Sequence, residues 1–387
     1  MKIAWFCIPA HGHTNPTLGL VREMTAAGHE IRYFSFADFR EKIEAAGAKF
    51  IPCDGVDIGM DDPDSGEKVG KDVSFATTLM VRATLALDGL ISEEIQRFQP
   101  DLIVSDSVAF WGKLTAWKFG IPYVCSTTTF AFNRYSARYM KRGAGETLRM
   151  LFSMPKINRQ IRLLRDKGYP VKGLLDIVQN DNSTNTIVYT SPLFQPCAET
   201  FSDRYHFIGP SIRAITQPMQ KTAGQTVFIS MGTVLKNAEL FRSCIEAVRG
   251  TGWQVIISAG CSELPQDGLP DNVQVYESVD QMAVLSIADA FISHCGMNSV
   301  SESLWFGVPL VMFPQTPEQG AVAMRTAELG AGIRPASQSP DEIRQAVQNV
   351  LMQPAYQQAA QRISESFRNC GGIAEAKAFL EACAEKR

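Results

Sequence analysis

The chain has 387 residues, 45% of them apolar and 20% charged, and a formal net charge of −3. That length exceeds one ordinary compact core and predicts two globular domains. With no basic excess to neutralise phosphates, nucleic acid is excluded as a partner class.

The elements follow a rhythm. MKIAWFCIP is strand-like, and TLGLVREMTAAG is helix-like and stops at Gly28. HEIRYFSF is a second strand, and FREKIEAAGAKF a second helix that stops at Gly47 and leads into Phe50-Ile51-Pro52. DLIVSD and PYVCST continue the series. Such alternation predicts βαβ units and a parallel sheet covered by helices on both faces.

Residues 134–178 break the rhythm. RYSARYMKR, LRMLF and INRQIRLLRDKGY are basic and helix-like, which reads as a helical insertion, either a solvated cap or a lid that shapes the substrate. Residues 209–225, rich in Pro, Gly, Ser, Thr and Gln, are the expected linker. The rhythm then returns with TVFISMG, QVIISAG, VQVYES, ADAFISH and PLVMFP. Helix-like stretches separate them, such as AELFRSCIEAVRG and 322–330, and a helix-like tail closes the chain. The expected fold class is therefore α/β, with two doubly wound parallel-sheet, Rossmann-like domains.

Nine cysteines (Cys7, Cys53, Cys125, Cys197, Cys244, Cys261, Cys295, Cys370, Cys383) are scattered without a C-x-x-C pair. They read as buried free thiols of a reducing cytosol rather than zinc ligands. The short apolar N-terminus does not read as a signal peptide, and no apolar run approaches the roughly 20 residues of a spanning helix. A cytoplasmic location is expected.

HGHTNP, residues 11–16, follows the first strand. Asn15 suits an N-cap and Pro16 the first helical position, which puts His13 on the strand–helix loop at the carboxyl end of the sheet. The positive helix end favours neutral imidazole there, able to accept a proton. His11 reads as a polar loop residue. Asp106, at the end of DLIVSD, either orients His13 or caps the following helix. In ISHCGMNSVSES a strand meets a helix through a glycine turn whose N–H groups can hold phosphate, lined by His294, Gly296, Asn298 and Ser299. Ser299 and Glu302 also form an S-x-x-E capping pattern, the alternative to Glu302 binding a ribose diol. SMGT at 230–233 and P-E-Q at 317–319 are two further strand-end clusters.

Together G-H-T-N-P-T-L, VYTSPLFQP, FIGPS, FISMGT, VLSIADAFISHCGMNSVSESLWFGVPLVMFPQTPEQ and ELGAGIRP resemble the GT-B nucleotide-sugar glycosyltransferases of glycosyltransferase family 1, in the bacterial macrolide-type branch. The resemblance implies two domains facing each other across a cleft: 1–215 for the acceptor, 216–367 for the donor, and 368–387 as a helix crossing back. It places the catalytic base on His13 and its orienting acid on Asp106. Donor contacts fall on Gly232, Thr233, His294, Gly296, Asn298 and Ser299 around the diphosphate. Glu302 takes the ribose, Glu318 and Gln319 the sugar, and Val279 and Gln281 the base. An aromatic residue that stacks on uracil is usual at position 278 and proline at 280; here they are Ser278 and Asp280, which leaves the choice between uracil and thymine open.

The implied reaction is an inverting transfer of a hexose, glucose from UDP-glucose, to a hydroxyl of an apolar small molecule such as a macrolide, phenolic or steroid. No cofactor beyond the UDP-sugar and no metal is expected. Phe110, Trp111, Phe130, Phe132 and the 134–178 helices are expected around the acceptor, although aromatics there equally suit a core. The rivals are a nucleotide-sugar epimerase and a non-catalytic sugar-nucleotide-binding partner protein. A dehydrogenase is disfavoured, because no G-x-G-x-x-G follows the first strand.

Overall fold

A computed structural model of the chain describes residues 1–55, 73–139, 144–178, 180–222, 224–232, 237–262, 264 and 268–385. The chain divides into two units, Met1–Ser211 with Cys370–Arg387, and Ile212–Asn369.

The first unit contains β1 (Lys2–Phe6), α1 (His11–Ala26), β2 (Glu30–Ser35), α2 (Arg40–Ala45), β3 (Lys49–Pro52), α3 (Val73–Phe98), β4 (Leu102–Asp106), α4 (Phe110–Phe119) and β5 (Tyr123–Thr127). The insertion supplies α5 (Ala144–Asp166) and α6 (Leu174–Val178), followed by β6 (Thr186–Val188) and β7 (Tyr205–Phe207). The strand order is β3-β2-β1-β4-β5-β6-β7, all parallel. Strand β1 shows why. Ile3 and Trp5 point into one core with Leu20 and Met24 of α1, while Ala4 and Phe6 point into another with Leu87 and Ile91 of α3. A strand covered on both faces must be apolar throughout, as β1 is after Lys2.

Helix α3 comes nearest to a membrane span among the described residues. Its segment Phe75–Phe98 is long and apolar enough to cross a membrane by length and composition, although Arg82, Asp88, Glu93 and Glu94 interrupt the apolar run. Leu79, Met80, Ala83, Leu87, Ile91 and Ile95 nevertheless pack on the sheet, as in a core helix. The cysteines also differ in part from expectation. All nine are free, but Cys261 is exposed, and Cys197 and Cys370 are half-buried.

The second unit runs β8 (Thr226–Ser230), α7 (Ala238–Val248), β9 (Gln254–Ser258), β10 (Val273–Tyr276), α8 (Gln281–Leu285), β11 (Ala290–Ser293), α9 (Met297–Trp305), β12 (Leu310–Met312), α10 (Pro317–Glu328), β13 (Gly332–Ile333), α11 (Pro340–Met352) and α12 (Pro354–Arg368). Its order is β10-β9-β8-β11-β12-β13, again all parallel. The last helix, α13 (Gly372–Glu385), belongs to the first unit. There it buries Ala376, Leu380 and Cys383 in the core that contains Trp5. His206 stacks on Phe379 at 3.9 Å, and His206–Glu375 and His29–Glu381 pairs, each 2.9 Å, sit at the margin of that contact.

Both sheets reverse direction once, between β1 and β4 in the first and between β8 and β11 in the second. In an open parallel sheet the loops separate at such a point and leave a crevice beyond the carboxyl ends of the two strands, where ligands bind.

Candidate active site

In the first unit the crevice lies between the ends of β1 and β4. Phe6 pairs with Ser105, so the next residues of both strands reach it together. Asp106 is the last residue of β4, and its side chain is fully buried. Its Oδ1 accepts the Val108 N–H at 2.9 Å, and its Oδ2 lies 2.7 Å from His13 Nδ1. A carboxylate can only accept, so Nδ1 carries a proton, and in the neutral ring Nε2 then has the lone pair. Thr128 Oγ1 stands 3.2 Å from the same Nδ1. Thr128 was not identified from sequence, since a hydroxyl just past a strand end carries no pattern of its own.

Helix α1 begins earlier than the sequence suggests. Ala10 is its N-cap, so His13 sits in the first turn, with Asn15 and Pro16 inside the helix. The His13 and Thr14 N–H groups both bond to the Ala10 carbonyl, which starts the helix without a side-chain cap. His13 is therefore close to the positive helix end, where imidazolium is disfavoured. The cap role for Asp106 also fails, because Ala109 is the N-cap of α4. His11 packs edge-on against Phe39 at 5.0 Å.

Two of the four acceptor aromatics are core residues. Trp111, 2% exposed, packs with Phe6 and Ala109, and Phe130, also 2% exposed, lies 5.4 Å from the ring of Phe194. Phe110 and Phe132 remain half-buried. Trp111 opens a run of six consecutive buried residues in α4, Trp111–Ala116, immediately after Phe110.

In the second unit the crevice lies between the ends of β8 and β11, where Ser230 pairs with Ser293. Gly232 has φ +78°, and a Cβ there would lie 2.9 Å from the His294 ring; a Cβ on Gly296 would lie 2.7 Å from His294 Nε2. Both glycines are therefore required by the imidazole packed between them. Cys295 adopts φ +68°, a left-handed turn that costs a non-glycine residue on the order of 1 kcal/mol. The Ser293 hydroxyl supports it by accepting the Cys295 N–H at 3.1 Å. Burial pushes the His294 pKa down to about 4, against a weaker pull from the Ser230 backbone, so the ring is neutral at pH 7. Thr233 lies outside the described residues.

The capping pattern expected at 299–302 does not form. Gly296 is the N-cap of α9 without a side-chain bond, and Glu302 lies six residues into the helix. Instead the Gln281 amide donates to Glu302 Oε2 and reaches Ser299 Oγ at 3.5 Å, which gathers three predicted donor residues. Burial raises the Glu302 pKa, which the Gln281 bond and the nearby Arg213 counter. Asn298 and Ser299 occupy the first turn of the same helix, and Val279 is half-buried before α8.

Asp280, which replaces the usual proline, is the N-cap of α8 and accepts the Met282 N–H. It also accepts the Thr216 hydroxyl at 2.8 Å and pairs with Arg213 at 3.0 Å. The expected linker thus starts in the first unit, joins the second at Ile212, and is tied through Arg213 and Thr216 to the N-cap of α8. Sequence composition gave no sign of that role for Arg213 and Thr216. Gln319 completes a capping box with Thr316, its Oε1 accepting the Gln315 and Thr316 N–H groups, while Glu318 is half-buried beside it.

Residues 246–370 match the family of erythromycin biosynthesis protein CIII-like C-terminal domains. The chain is 33% identical to the NDP-glycosyltransferase YjiC of Bacillus licheniformis, across 98% of this chain and 97% of that one. The solved glycosyltransferase of kitacinnamycin superposes with a TM-score of 0.85 at 25% identity, covering 99% of this chain and 98% of its own. For CalG4, the calicheamicin glycosyltransferase, the values are 0.82, 28%, 100% and 98%. A histidine–aspartate pair at one switch point, a glycine-flanked helix entrance at the other, and likeness over the whole length agree: the chain belongs to the macrolide-type branch of glycosyltransferase family 1, and is a glycosyltransferase of GT-B fold.

Proposed function

We propose that this protein transfers glucose from UDP-glucose to a hydroxyl of an apolar small molecule, with inversion at the anomeric carbon. The observation that carries the reading is the 2.7 Å contact between His13 Nδ1 and the buried Asp106 carboxylate. That bond orients the ring and stabilises the imidazolium that forms, so Nε2 can take the proton of an acceptor hydroxyl. The acceptor oxygen bonds to the anomeric carbon as the bond to the nucleoside diphosphate breaks, and the proton passes from His13 to solvent. Charge that builds on the departing diphosphate meets the N–H groups at the start of α9 and the neutral ring of His294. In this reading Glu302, held by Gln281, accepts hydrogen bonds from a ribose diol. The reading uses no metal, since the helix end supplies the electrostatic stabilisation.

The relatives support the broader terms. One is named for nucleoside-diphosphate donors, and two solved neighbours are named kitacinnamycin and calicheamicin glycosyltransferases. A cytoplasmic site of action suits nine unbridged cysteines. The deciding experiment is His13→Ala, assayed by mass spectrometry for transfer and by calorimetry for UDP-sugar binding. Transfer is expected to vanish while donor affinity is nearly unchanged; a parallel loss of both would refute the base assignment. Conversion of UDP-glucose without any acceptor would point to an epimerase instead.

A further inference from the structure

Helix α5 has an apolar inner side and an outer side that mixes exposed apolar and cationic residues. Its inner side is apolar, with Ile157 and Leu164 fully buried and Ile161 2% exposed. At about 100° per residue, Phe152, Arg159 and Leu163 fall within roughly 40° of one another on the opposite side. Phe152 is 78% exposed, and Leu151 and Leu163 are exposed as well. Lys156 and Arg162 flank that line, both exposed. Between residues 151 and 167 there are five cations (Lys156, Arg159, Arg162, Arg165, Lys167) and one acid, Asp166, in a chain whose net charge is −3.

Two features of this face bear on what it binds. Lys156, Arg159 and Arg162 make no ion pair among the described residues, so their charge is available to an external anion; Arg165 differs, donating to the Val171 carbonyl at 2.6 Å. Exposed apolar side chains lie among the cations, which an electrostatic contact with a soluble polyanion does not need. An interfacial helix requires both, apolar groups to enter the acyl boundary and cations to meet lipid phosphates. A single isolated apolar residue on a surface would carry nothing, but Phe152 and Leu163 share one line with Arg159.

We propose that the outer face of α5 docks this protein on anionic lipid surfaces, with Phe152 and Leu163 entering the interface and Lys156, Arg159 and Arg162 contacting phosphate head groups. The contact is peripheral and reversible, and it goes beyond the transfer reaction: it uses the outer side of α5, away from the inner side that packs Ile157, Ile161 and Leu164.

The test is co-sedimentation of the full-length protein with vesicles of phosphatidylcholine alone or with phosphatidylglycerol at about one part in three. Binding to the anionic vesicles is expected to exceed binding to neutral ones by roughly tenfold or more, and to collapse in about 1 M salt. The triple variant Lys156→Glu, Arg159→Glu, Arg162→Glu should abolish it, and Phe152→Ser should weaken it severalfold. All four positions are exposed, so circular dichroism and the thermal midpoint should match the parent. Equal binding to both vesicle types, no binding to either, or full binding by the triple variant would overturn the proposal. So would binding that Phe152→Ser leaves intact, since that is the behaviour of a polyanion site.

Discussion

A fall in pH should destabilise the second unit through one histidine. Burial holds the His294 pKa at about 4, below the ordinary value of 6.5. A depressed histidine is neutral in the fold and charged in the unfolded chain once the pH drops below 6.5. The unfolded state then binds more protons, so stability falls as pH falls, across the window from 6.5 down to about 4. One pKa unit corresponds to about 1.4 kcal/mol, so from pH 7 the loss reaches about 2 kcal/mol at pH 5 and about 3 kcal/mol at pH 4. Other groups titrate over the same range, so the informative quantity is the difference between the parent and His294→Gln. The amide is neutral throughout, and its size suits the slot between Gly232 and Gly296. Urea unfolding at pH 7, 5.5, 5 and 4, followed on the transition of the second unit, should give a parent-minus-variant stability that declines by those amounts. Parallel pH profiles for the two proteins would refute the reasoning and mean that His294 is protonated in the fold.

Three more outcomes follow from the geometry. Asp106→Asn removes the fixed acceptor at 2.7 Å from His13 Nδ1 and frees the wrong tautomer, so kcat should fall roughly a thousandfold with donor KM little changed, as read in a steady-state transfer assay. Gly112→Ala would put a methyl group 2.6 Å from Ser105 Cβ and 2.9 Å from Phe6 Cβ, one residue before Asp106; it should cost about 3 kcal/mol in urea unfolding and reduce transfer more than donor binding. Ser278→Trp restores a stacking surface at an exposed position, and UDP affinity by calorimetry should rise by about 1 kcal/mol, whereas no change would place the base elsewhere.

What sequence could say about this molecule depended on how local the cause was. The strands and their helices were legible because a strand buried on both faces is apolar through its middle, as β1, β4 and β8 are at Ile3–Phe6, Leu102–Val104 and Val227–Ile229. His13, Asp106 and His294 stand at or just past strand ends, which fixes their place before any tertiary contact is known, whereas Glu302 lies inside α9. Cap assignments were less reliable. Asn15–Pro16 and Ser299–Glu302 both look like helix starts, yet Ala10 and Gly296 begin those helices. In each case the loop from the switch point is short, and the chain turns into the helix as soon as it clears the sheet. The earlier starts change the neighbours: His13, expected on the loop, lies in the first turn, where Asp106 reaches it, and Glu302, expected in a cap, lies in the helix body, where Gln281 reaches it. Contacts between distant segments were invisible, since Thr128 beside His13 and Arg213 beside Asp280 depend on the sheet order and the path of the linker. The Asp280 case shows how such a contact changes the meaning of a departure. Read along the chain, Asp280 is a lost proline; in the fold its carboxylate caps α8 and binds Arg213 and Thr216, so the substitution exchanges a rigid turn for a polar tether on the loop that carries Val279 and Gln281.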